Sequence, residues 1–213
     1  MPQVPIYRTL TPDAPKVRVD GHVRATEDAI LTLTVLAPEE VGLTTKEQPS
    51  LYWFQSKSTN THVTLTIIRK KEAQPVLNAE IEVLSDGIQR VRLTDCHIHL
   101  DAGVEYKWSV AVVMDPKDRS NDVIASGVIK HVKPSAQLVG KLVGAPASEL
   151  PTIYAAEGIW YDSLEALSNL VDAHPRDAKL RLIRAIYFAQ VKLHDAAAHE
   201  MGLAGQPAVT VGP

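Results

Sequence analysis

"LDAGVEYKWSV", residues 100–110, sets a leucine, a glycine, a tyrosine and a tryptophan in the order of a tyrosine corner. In that motif a Tyr near the start of a late strand turns its hydroxyl back onto backbone a few residues upstream, at the corner between two packed sheets. Leu100, Gly103, Tyr106 and Trp108 occupy those positions. Tyr106 is therefore expected to be structural rather than catalytic, buried with its hydroxyl bonded near residues 100–103. Outward from this stretch, the chain from residue 17 to residue 133 alternates with period two. "KVRVDGHVRA", "ILTLTVLA", "SLYWFQS", "HVTLTIIRK", "NAEIEVL", "IQRVRL", "EYKWSVAVVM" and "DVIASGVIKHV" are successive strand candidates, parted by Pro, Gly, Asp and Asn clusters. That cadence belongs to a two-sheet sandwich. Leu31, Leu33 and Val35 share one face and Thr32 and Thr34 the other, so one face is buried and one is wet. Trp53, in "SLYWFQS", is the expected core aromatic spanning the sheets. With Cys96 the only cysteine, it has no disulfide to pack against.

After "HVKPSAQLVGKLVGAPASELP" the period changes to about 3.6 residues. Trp160, Leu164, Leu167 and Val171 form one stripe, and "HPRDA" breaks this helix and starts another with Asp177 as N-cap and Leu180, Ile183, Tyr187 and Val191 inward. Gly202 reads as the stop of that second helix. The segment resembles a degenerate tetratricopeptide repeat, with Gly158 and Pro175 at the spacing of its turn glycine and closing proline and "YDSLEAL" echoed weakly by "HDAAAHE". The expected class is mainly β: an immunoglobulin-like or fibronectin-like antiparallel β-sandwich followed by a C-terminal α-helical hairpin. Its parts are an extended, proline-rich N-terminal arm (1–16), the sandwich (17–134), a linker (135–151), the tetratricopeptide-like hairpin (152–202) and a C-terminal tail (203–213).

Composition narrows the function classes. With 213 residues, 45% of them hydrophobic, the chain can fill a core, and a net charge of -3 gives no basic footprint for a phosphate backbone. Nucleic acid is not expected as a partner. No apolar run approaches the length of a membrane span, and Met1 is followed by "PQVPIYRTLTPDAP" rather than by a basic and then an apolar region. Neither a membrane span nor a signal peptide is expected in this chain.

Three blocks carry a resemblance: "LAPEEVGLTTKEQPSLYWF" (36–54), "YKWSVAVVMDPKDRSNDVIASGVIKHV" (106–132) and "YAAEGIWYDSLEALSNLVDAHPRD" (154–177). In this order they are similar to an uncharacterised bacterial family, domain of unknown function 928, prominent in cyanobacteria. The resemblance implies an exported protein, periplasmic or extracellular, because members usually carry export signals. It implies no reaction and transfers no ligand.

"MDPKDRSNDV" (114–123) is the most charged turn. Asp115, Asp118, Asn121 and Asp122 offer oxygens for calcium, yet an EF-hand loop needs them at alternate positions with a glycine and a distal glutamate, and Lys117 and Arg119 add positive charge. A turn capped by Asp115 before Pro116, and again by Asp118 or Ser120, fits better. Arg119 could pair with an internal carboxylate and hold the loop rigid for a partner. Asp115, Lys117, Asp118, Arg119 and Asp122 are thus the candidate interaction loop. In "DCHIHL" His97 and His99 would project from one face of a strand beside Cys96 and are the candidate metal ligands, but the blue-copper order fails because Met114 comes too late. His194 and His199 are five apart, off helical alignment. Trp53, Tyr106, Trp108 and Trp160 are read as structural.

No G-x-S-x-G elbow, phosphate-cradling glycine loop, H-E-x-x-H or paired C-x-x-C is present. No cofactor is expected and the chain is not read as an enzyme. The leading expectation is a non-enzymatic protein-interaction or assembly module of the bacterial cell envelope, with a protein partner or self-assembly. The alternatives are a small-molecule-binding or sensory domain with its ligand at the junction of sandwich and helices, and a hydrolase assembled from loops. "VPIYRTL" and "PAVTVGP" at the two ends are extended and could add a strand to a neighbour's sheet edge.

Overall fold

The computed structural model describes residues 3–11, 13–26, 29–58, 63–83, 85–115 and 117–205. Among the described residues nine strands precede five α-helices: β1 Gly21–Thr26, β2 Ala29–Val35, β3 Gly42–Thr44, β4 Ser50–Gln55, β5 Val63–Arg69, β6 Pro75–Ile81, β7 Gly87–Arg92, β8 Glu105–Val112 and β9 Val123–His131, then α1 Ala136–Leu142, α2 Leu150–Ala156, α3 Trp160–Ala173, α4 Ala178–Ala189 and α5 His194–Ala204. One sheet runs β1-β2-β4-β7 and the other β3-β9-β8-β5-β6. All pairings are antiparallel except β3 with β9. Their facing sides build the core, with Leu33, Val35, Leu51 and Trp53 from one sheet and Leu65, Tyr106, Trp108 and Val110 from the other.

β3 escapes the alternation pattern because three residues hold too few periods to register. It arises where the chain leaves β2 at Val35, crosses between the sheets through residues 36–41, all at least half-buried, and rejoins the second sheet beside β9. The segment ahead of β1 crosses in the same way, since Val19 bridges to Ser126 of β9 before Gly21 pairs with Leu33 of β2.

Tyr106 makes the corner. Its ring is 1% exposed, its hydroxyl accepts from the Asp101 N–H at 3.1 Å and donates to the Asp101 carboxylate at 3.1 Å, and Arg69 pairs with that carboxylate.

The helical part is more divided than a hairpin. Ser135 caps α1 by accepting from Leu138 N–H at 3.1 Å, so the stretch expected as linker carries a helix. The second helix is broken at residues 190–193 without Pro or Gly. Lys192 takes a left-handed φ of 61° and the Leu193 N–H returns to the Phe188 carbonyl at 3.1 Å, which buries Leu193. Gly202 lies inside α5 rather than at its end, and Gly205 closes it. Asp177 caps α4 through Lys179 N–H at 2.9 Å.

Helices and sandwich meet at three consecutive residues at the start of α3. Trp160 donates its Nε1–H to the Leu36 carbonyl at 2.9 Å and stacks on Tyr187, ring centroids 4.6 Å apart. Tyr161 passes over Gly42, accepts from Trp108 Nε1 at 2.9 Å and donates to the Val128 carbonyl at 3.3 Å. Asp162, 1% exposed, accepts from the Thr45 hydroxyl at 2.6 Å and from Thr45 N–H, fixing α3 to the end of β3.

The N-terminal arm docks on its own chain. Arg8 N–H donates to the Ala155 carbonyl, Tyr7 N–H to Gln190 Oε1, Gln190 Nε2 to the Pro5 carbonyl, and the Tyr7 ring meets Trp160 edge-on at 5.0 Å. Val4 packs on the core while Ile6 is exposed. The arm "VPIYRTL" thus lies against its own chain, and "PAVTVGP" lies outside the described residues.

Tyr161→Phe leaves Trp108 Nε1 without its buried acceptor and takes one donor from the Val128 carbonyl. It is expected to destabilise the protein by about 1–3 kcal/mol in urea unfolding. A Cβ on Gly42 would stand 2.6 Å from the Tyr161 ring, so Gly42→Ala is expected to lose about 1–3 kcal/mol by overpacking. A second prediction concerns acid. Hydrogen bonds from Lys16 and from Lys192 draw the Glu39 carboxyl down from the ordinary 4.5 to about 2. A depressed folded value stabilises fully above the unfolded value and fades as pH falls towards the folded one. The melting-temperature gap between the protein and Glu39→Gln should therefore shrink from about pH 5 to about pH 2 and stay constant above that window.

Candidate functional site

The two sheets are unlike on their outer faces. On the first sheet, α3 packs against β4 and α5 against β7. Tyr52 and Phe54, which point away from the sandwich interior, are buried there, with the Phe54 ring 5.4 Å from His199. Every residue of β4 is buried on both sides in consequence. On the second sheet the outward positions of β5 and β8 carry Thr64, Thr66, Lys107 and Ser109, half-buried or exposed, and Ile124 of β9 is 49% exposed. β6, the edge strand, exposes Val76, Asn78 and Glu80.

The 114–123 loop stands at the rim of this open face. Asp115 accepts from Lys117 N–H at 2.8 Å, Asp118 from Ser120 N–H at 3.1 Å and from the Ser120 hydroxyl at 2.6 Å, and Arg119 pairs with Asp122. The Ser120 hydroxyl and then its N–H hold the Asp118 carboxyl below its ordinary value. Pro116 lies outside the described residues. Asp115, Asp118 and Asp122 are therefore bound into the loop's own backbone and its arginine, leaving Lys117 and Arg119 as the projecting cations. Arg119 reaches over a shallow hollow of about 360 Å³ floored by Thr64, Thr66, Ser109 and Ile124. Thr66 donates to Asn78 Oδ1 at 2.9 Å, a polar rung from β5 to the edge strand.

His97 and His99 do not share a strand face. β7 ends at Arg92 and the next residues coil into tight turns, with Asp95 N–H to the Arg92 carbonyl, His97 N–H to Thr94 and Ile98 N–H to Leu93. His97 takes a φ of 55°, and His99 is exposed with Nδ1 3.5 Å from Glu47 Oε2. A left-handed residue in a turn breaks the alternation that would align the two rings. Burial raises the Cys96 thiol above its ordinary value, keeping it from the thiolate form a soft metal needs. Among the described residues no group of three or more His, Cys, Asp or Glu side chains could hold a metal ion.

Trp53, Trp108 and Trp160 are each at most 1% exposed, and only the last two have their indole N–H bonded. All three belong to the core and its junction. The open-face residues Thr64, Thr66, Ser109 and Asn78 are the ones that motif reading passes over. Their signal is the run of small hydroxyl side chains at outward positions of "HVTLTIIRK".

The fold is a sandwich of immunoglobulin-like plan with helices packed on β4 and β7 of the first sheet and on the edge strand β3 of the second, while the outer face of β6-β5-β8 carries no helix among the described residues. Residues 19–201 match the family model described as Domain of Unknown Function (DUF928), and the chain belongs to that family. No curated protein sequence matches the chain.

The Arg119–Asp122 pair is one-sided, with the Asp122 side chain only 2% exposed and one of its carboxylate oxygens buried without a partner, and removing the cation beside a buried carboxylate is destabilising. Arg119→Ala is accordingly expected to lower the melting temperature by several degrees, and millimolar calcium to leave that of the unaltered protein unchanged. A calcium-dependent rise would place an ion in the loop.

Proposed function

We propose that the protein is a non-enzymatic interaction or assembly module, exported to the bacterial envelope or surface. It presents the outer face of β6-β5-β8-β9 and the rim loop to a protein partner. The observation that carries this reading is the asymmetry of the sheets: α3 and α5 cover β4 and β7 on one outer face, and the other carries Thr64, Thr66 and Ser109 at half-buried outward positions. A polar, hydroxyl-lined face suits a partner that binds reversibly rather than a permanent apolar interface. Arg119, held by Asp122, brings a preorganised cation to the rim, which favours a partner with acidic groups. β6 begins with Pro75 and then offers six residues of edge to an added strand. Export rests on the family resemblance.

A photo-crosslinking residue placed at Thr66, Asn78 or Ser109 and expressed in the native host should give a discrete protein adduct. The same residue at exposed Met201 on α5 should give none. Adducts from Met201 alone, or from neither face in a chain secreted in native form, would contradict this assignment.

A further inference from the structure

Between the N-terminal arm and the body lies a cleft of about 440 Å³. In the arm Ala14 N–H returns to the Thr11 carbonyl, and Val17 N–H meets the Glu39 carbonyl at 2.7 Å. Leu10, Val17, Val41 and Leu43 line the space, all part-exposed. The volume falls within the range of small-molecule sites, about 300–1,000 Å³. Its charged groups belong to different elements. Lys70, Glu105 and Lys130 gather where β5, β8 and β9 reach the cleft, with Lys70 Nζ 2.5 Å and Lys130 Nζ 3.9 Å from the Glu105 carboxylate. Two ammonium groups share one carboxylate, and the Lys130 contact is long enough to accept a second anionic oxygen. Glu40 also lines the cleft, with one carboxylate oxygen buried and unpartnered. Burial first, and the Glu40 charge second, raise the Tyr7 phenol far above its ordinary value, so its hydroxyl stays protonated beside Glu40.

We propose that this cleft binds a small molecule with an apolar body and a single carboxylate. The carboxylate pairs with Lys130 and Lys70, and the body lies along Leu10, Val17, Val41 and Leu43. The fixed negative charge of Glu40 disfavours a ligand with a second anionic group. Gly158 is required at the cleft wall, since φ is 72° there and a Cβ would stand 2.6 Å from Leu10 Cγ. The site is separate from the open sheet face, and its test is independent of any protein partner.

Isothermal titration of the full chain with decanoate, decanol and the ten-carbon dicarboxylate sebacate tests the assignment. Decanoate is expected to bind one site per chain, about tenfold or more tightly than decanol, the scale of one charge-assisted hydrogen bond. Sebacate should bind more weakly than decanoate. Lys130→Met should reduce decanoate to the affinity of decanol while leaving decanol unchanged. Leu43→Trp, which fills the cleft, should abolish both, and Val41→Trp is its replacement if Leu43→Trp loses the native far-ultraviolet circular dichroism. Equal affinity for decanoate and decanol, or decanoate binding that survives a folded cleft-filling variant, would overturn the proposal, as would no binding at all.

Discussion

The hydroxyl of Tyr161 is the point on which the arrangement of the two layers depends. It stands between a donor in one part of the sandwich and an acceptor in the next, taking the indole N–H of Trp108 and giving its own proton to the Val128 carbonyl. The bond from Trp108 is buried and the one to Val128 part-buried, and an unmade buried hydrogen bond costs about 1–3 kcal/mol. Burial raises the Tyr161 phenol well above its ordinary value, so the group is neutral and keeps its proton to donate. Trp160 supplies the second point through the Leu36 carbonyl. Two adjacent residues, one bonded to the crossing segment and the other to the second sheet, fix both the position and the rotation of α3. The crossing segment of residues 36–41 and Gly42 open the gap through which they enter.

Everything helical then follows α3. Asp162 ties its first turn to Thr45, and the buried pair Arg184–Glu200 joins α4 to α5, with Arg184 also reaching the Ser168 hydroxyl on α3. Desolvation raises the Asp162 carboxyl, opposed by the Thr44 and Thr45 hydroxyls and by Lys46. Such buried polar pairs specify a unique packing more than they stabilise it. The layer so held covers the first sheet and carries the arm, because Tyr7 rests on Trp160 and Arg8 on Ala155. The open second sheet and the cleft beneath the arm are both consequences of where α3 is anchored.

The β-sandwich was legible because period two survives wherever one face is buried and one is wet, as in Leu31, Leu33 and Val35 beside Thr32. Where both faces are covered, alternation vanishes. "LYWF" (51–54) is an unbroken apolar run for that reason, and Tyr52 and Phe54 in it were the available sign that a second layer lies on this sheet. The tyrosine corner was readable as a local motif, whereas the contact of Tyr161 with Trp108 spans 53 positions and leaves no local trace. The break between α4 and α5 uses Lys192 in a left-handed conformation, stabilised by burial of Leu193, so no Gly or Pro marks it. The rim loop could be read as a capped turn from its Asp and Ser spacing. The cleft could not, since its lining comes from six or so separated segments, brought together only by the fold.

Native-state hydrogen exchange in low denaturant tests most directly whether sandwich and helices are one cooperative unit held at Tyr161. The account predicts that the slowest amides of β8 and β9 and those in the middle of α3 open together, with one free energy and one denaturant slope equal to those of global unfolding. Opening of α3 to α5 at a distinctly lower free energy, with the sandwich amides still protected, would contradict it.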